Sequence, residues 1–125
     1  MRYIHAKGIE IPLYRGYLLI IISNASDKVR KYIPDFEDEQ PFAHTCFTPY
    51  RGNEGFAIVL NFEHSHGIVR NGTIAHEAVH AADMIAYCRG IEPDFENDEP
   101  MAYLIEWICN EVHRFVNKKG FTVAL

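Results

Sequence analysis

Hydrophobic and polar positions divide this chain into short apolar runs in its first half and two amphipathic periods in its second. The weak alternation around I-E-I-P-L-Y, within residues 1–15, predicts an edge strand, because Pro12 cannot donate to a ladder. Tyr17–Ser23 is a continuous run of Leu and Ile and reads as a central strand covered on both faces. Ser26 or Asp27 can cap a short helix, D-K-V-R-K-Y-I, which Pro34 stops. Asp35–Gln40 is acidic and reads as a solvated loop; without the EF-hand spacing and glycine, calcium is disfavoured there. Phe42–Tyr50 forms a further strand before the turn R-G-N-E-G, and Phe56–Glu63 is the clearest strand after the first.

The periodicity then changes. Turning each residue of Thr73–Arg89 through about 100° places Asp83, His76, Tyr87, His80, Thr73, Met84 and Glu77 on one arc. The opposite arc holds Ile74, Ile85 and the alanines, as suits a helix pressed closely onto a sheet or another helix. Asn71 or Thr73 starts this helix. After Gly90 and the polar loop I-E-P-D-F-E-N, Asp98 caps a second helix with Glu99 and Pro100 in its first turn, running to about Asn117. Met101, Leu104, Ile105, Ile108, Val112, Phe115 and Val116 form its core side, with Cys109 beside them; Glu99, Tyr103, Glu106, Asn110 and His113 form its polar stripe. Phe121–Leu125 is a short tail or edge strand. These elements imply an α+β fold: a small twisted sheet from the first half, packed by the two helices.

Length and composition narrow the picture further. One domain spanning 1–125 is long enough for a core without disulfides. The net charge is −5 with no Lys/Arg stripe, which argues against nucleic acid. Cys46, Cys88 and Cys109 are odd in number and widely spaced, as expected of thiols in a reducing compartment. The apolar stretch Gly16–Ser26 is too short to span a bilayer and reads as a strand rather than a signal segment. The expectation is a cytoplasmic protein without membrane contact; oligomeric state is left open.

The candidate chemistry lies in H-E-A-V-H, residues 76–80. Residues four apart on a helix share a face, so His76 and His80 can take two corners of one Zn²⁺ tetrahedron. Glu77, about 100° round, is placed to hold a metal-bound water as general base rather than the metal itself. The plainer alternative is a pair of ordinary polar residues on an exposed helix. A catalytic zinc needs a third protein ligand, and Glu99, Glu106, Asp83, His64 and His66 are available. Glu99 is preferred, at the start of the next helix, although a carboxylate there also compensates the helix dipole. Glu106 lies about 10 Å further along by helical rise, so it and Glu99 do not share one ion; it suits an acceptor for a ligand imidazole, or the ligand itself if the helices cross lower. Asp83 suits the support of a ligand imidazole. His64 and His66 would share a face if their strand continued, and His113 or Tyr103 could stabilise an oxyanion.

I-A-H-E-A-V-H-A-A-D followed by N-D-E-P-M-A-Y-L-I-E-W-I resembles compact gluzincin-type zinc metallopeptidases. It is similar in particular to the ImmA/IrrE-type peptidases of mobile elements and to small H-E-x-x-H proteins encoded in phage genomes. The resemblance covers roughly residues 70 to 110, and its specific part is the motif helix. It implies His76, His80 and Glu99 as zinc ligands, Glu77 as base, and a peptide or protein substrate. Tyr103 stands where many larger gluzincins carry an aspartate, which leaves Asp83 as the substitute. A rival class is a metal-stabilised binding protein without turnover, such as a phage factor acting on a host protein. A third is a structural domain that holds no metal.

Overall fold

A computed structural model describes residues 1–37 and 42–125, and its architecture is the α+β arrangement expected. The acidic segment read as a loop falls partly outside the described residues. Four strands form one sheet in the order β1-β2-β4-β3: β1 (Ile4–Glu10), β2 (Tyr17–Ser23), β3 (Ala43–Tyr50) and β4 (Asn53–Asn61). β2 and β4 are parallel neighbours, and β1 and β3 flank them antiparallel. The two central strands carry the unbroken apolar runs because both of their faces are covered.

The helices α2 (Asn71–Cys88) and α3 (Glu99–Lys118) pack on one face. Ile74, Ala78, Ala81, Ala82 and Ile85 of α2 meet Leu104, Ile108 and Val112 of α3 over Leu18, Ile20, Ile22, Phe56, Ile58 and Leu60. The alternate residues Leu19, Ile21, Ala57 and Val59 face the other way, onto Val29, Ile33 and Phe36. α3 returns antiparallel to α2, with His113 Nε2 2.9 Å from Asn71 Oδ1. α2 lies over β3 and β4, whereas α3 lies over β2.

Several local boundaries differ from the sequence expectation. The first strand precedes Pro12 rather than containing it; residues 11–16 form a turn in which Leu13, Arg15 and Gly16 have positive φ. The first helix, α1, is a single turn, Ser26–Val29, with Ala25 at its N-cap. Ser26 therefore opens the helix instead of capping it, and its hydroxyl makes no hydrogen bond among the described residues. Asp98 occupies the α3 N-cap without a side-chain bond. β4 ends at Asn61, so His64 and His66 sit in an exposed turn and share no strand face. The final segment is a strand, β6 (Thr122–Ala124), paired parallel to β5 (Ile68–Arg70) immediately before α2.

The β3–β4 hairpin fixes what β3 offers to α2. Arg51 and Gly52 have φ of 49° and 74°, the conformation of a two-residue type I′ turn, between the paired Tyr50 and Asn53. Counting back from this turn sets Thr45 opposite Ile58 and Phe47 opposite Phe56, on the helix-covered face.

Candidate metal centre on the motif helix

α2 starts directly after β5, and its alanine-rich side permits close approach to the sheet. Its far end is tied down by Arg89, which donates to the Tyr14 carbonyl and pairs with Glu54 at 2.6 Å. The helix thus holds its outward face in a defined position along β3.

On that face the imidazoles of His76 and His80 converge. Their Nε2 atoms are 3.1 Å apart, with ring centroids 4.8 Å apart at 76°. Two nitrogens bound to one tetrahedral zinc at ordinary Zn–N lengths stand about 3.3 Å apart. The spacing therefore fits two corners of a zinc site with little rearrangement. Both rings are exposed and open to solvent.

Glu77 leaves this face for the sheet and is only 7% exposed. Its Oε1 accepts a hydrogen bond from Thr45 Oγ1 at 2.8 Å, while Oε2 lies 3.8 Å from His76 Nε2. A buried carboxylate with one oxygen bonded and the other beside a ring nitrogen suits a proton acceptor next to an ion. Thr45 is the residue that sequence reasoning missed. Its signal was the two-residue turn at Arg51–Gly52, which fixes the register but does not reveal a contact with a distant helix.

The structure does not bring Glu99 to the histidines. Glu99, Tyr103, Glu106 and Asn110 are exposed along α3, because its opposite side is committed to Leu104, Ile108 and Val112 in the core. The histidines belong to the flank of α2 that carries Glu77 towards β3, whereas α3 covers β2. Among the described residues no set of three His, Cys, Asp or Glu is placed to hold an ion. Of the expected set of His76, His80 and Glu99, the two histidines are the pair found side by side.

The remaining candidates are dispersed. Asp83 is exposed and makes no hydrogen bond to either imidazole; it lines a cavity of about 590 Å³ with Phe47, Glu54, Met84, Tyr87 and Cys88. His113 is engaged elsewhere, with Nδ1 2.7 Å from the Cys109 carbonyl and Nε2 on Asn71. A second hollow of about 330 Å³ lies towards the start of α2, lined by Phe42, Ala43, Gly72, Thr73, His76 and Glu77. Edge strand β3 and α2 contribute residues to both hollows.

No family profile, curated protein or solved structure matches this chain. Among the described residues no helix is long and apolar enough to cross a membrane.

Proposed function

We propose that the chain is a zinc-dependent peptidase in which His76 and His80 hold the metal and Glu77 is the general base. The observation that carries this reading is the 3.1 Å approach of the two Nε2 atoms beside the Glu77 carboxylate. His76 and His80 would hold zinc, and the chemistry it would supply there is that of a Lewis acid, polarising a scissile carbonyl and acidifying water near neutral pH. Glu77 takes the proton of the attacking water and delivers it to the leaving amine. The histidine pair would supply two of the three protein ligands that catalytic zinc sites use.

The substrate fits beside β3. Among the described residues this strand pairs with β4 on one side only, so an extended peptide can add to its other edge by β-augmentation. Free Cys46, Cys88 and Cys109 suit a reducing compartment, and we place the protein in the cytoplasm.

Replacing Glu77 with Gln tests the mechanism. It keeps zinc, measured by elemental analysis, and lowers peptide hydrolysis on the order of 10²–10⁴-fold, the usual contribution of general acid–base catalysis. An unchanged rate rules the mechanism out.

A second reading is a metal-stabilised binding protein without turnover. Exposed Phe42, Phe47 and Tyr87 favour it by supplying apolar contact surface along β3 and α2. The two readings part on one measurement: both bind zinc, but only the peptidase cleaves a peptide library in a chelator-sensitive way.

A further inference from the structure

The two oxygens of the Glu77 carboxylate have different surroundings. Oε1 is held by the Thr45 hydroxyl at 2.8 Å, and Oε2 faces His76 Nε2 at 3.8 Å. The same hydroxyl lies 3.3 Å from the Glu77 carbonyl oxygen, so its single hydrogen has two acceptors, of which the carboxylate is nearer. A bond to an ionised oxygen is also the stronger of the two. Thr45 itself is well fixed: its β-branched side chain has few χ1 choices, and the hairpin register sets it opposite Ile58. The terminal torsion of a glutamate, by contrast, is broad and roughly two-fold, so the side chain alone does not define where each oxygen points.

We infer that Thr45 is a positioning residue: it pins one oxygen of Glu77 and keeps the other turned towards the His76–His80 pair. Its kinetic consequence rests on the peptidase reading above. The contact also joins α2 to the sheet, and a purely architectural bond would lower stability while leaving turnover by the folded protein unchanged.

Thr45→Val removes the hydroxyl and keeps the branched shape; Thr45→Ser keeps the hydroxyl. In the full chain loaded with zinc, Thr45→Val is expected to lower kcat on the order of tenfold, as misplacement of a reacting group does. KM and zinc content stay at the wild-type values, and Thr45→Ser recovers most of the loss. A kcat for Thr45→Val equal to wild type overturns the inference, as does a Thr45→Ser variant impaired as much as Thr45→Val. Should the wild-type protein cleave no peptide, the peptidase reading fails by itself. The contact is then decided by a denaturation cycle combining Thr45→Val with Glu77→Gln. Non-additive stabilities support a Thr45 hydroxyl bound to Glu77, and additive ones overturn it.

Discussion

Cys46 and Cys88 show how far neighbouring elements can separate two side chains of one type. Cys46, half-buried on β3, packs towards Ile33 and Phe36. Burial, aided by the charge of Asp35, pushes its thiol up from an ordinary value of 9.0 to about 11. Burial also raises the Cys109 thiol, whereas Cys88 is exposed on α2. The thiolate is the nucleophile, so limiting iodoacetamide at pH 8 should label Cys88 first, with peptide mapping as the readout. Equal labelling of Cys46 would contradict this. The sign of the stability effect follows: between the two values the unfolded chain releases a proton that the folded one retains. Folding stability therefore falls as pH rises towards 11, and Cys46→Ala flattens that fall. At this scale the sequence was informative wherever chemistry is local. His76, Glu77 and His80 were legible because helical spacing alone brings such residues together. Thr45 was not, since nothing near it in sequence indicates Glu77. Glu99 was less legible as a ligand, because a polar stripe read from periodicity shows which side of a helix is polar, not what that side faces.

Among the elements, the β3–β4 hairpin carries the most consequence for the site. Its two glycines offer a comparison of mechanisms. Gly52 has φ of 74° and open space around a would-be Cβ, so Gly52→Ala should cost only the left-handed penalty, about 1–2 kcal/mol. Gly55 sits where a Cβ would come 2.3 Å from the Thr48 carbonyl oxygen, across the strand pair. Gly55→Ala must displace backbone, and its loss should reach or exceed the roughly 1–3 kcal/mol typical of overpacking. Urea titration of both variants checks the order; a Gly55→Ala protein more stable than Gly52→Ala would refute it. The turn was visible in sequence but read too long, as R-G-N-E-G, since Asn53–Gly55 belong to β4; both long helices and the two central apolar runs were also visible. Less legible were short elements whose existence depends on distant partners. β6 forms only because β5 lies alongside it, and β4 stops at Asn61 despite the apolar Phe62 that follows.

For the whole molecule, a zinc site contributes through mass action. An ion that binds only the folded chain adds about 2.7 kcal/mol at a concentration one hundred times its Kd, roughly a 10 °C rise for a domain of this size. His76→Ala and His80→Ala should abolish that rise, and Glu99→Ala should keep it; scanning calorimetry with and without zinc provides the measurement. Loss of the rise in Glu99→Ala would return Glu99 to the ligand set against its exposed place on α3. A wild-type protein indifferent to zinc would favour the structural domain that holds no metal.

The loop of two residues at Arg51–Gly52 also has an arithmetic consequence. Strand side chains point alternately up and down, so the parity of that connection decides which neighbour looks at the motif helix. If the β3 pairing slipped by a single step, an imidazole from His44 or a thiol from Cys46 would replace the hydroxyl beside Glu77. A surface insertion that most hairpin tips would absorb could therefore rewrite the chemistry next to the histidines while leaving every residue of α2 untouched.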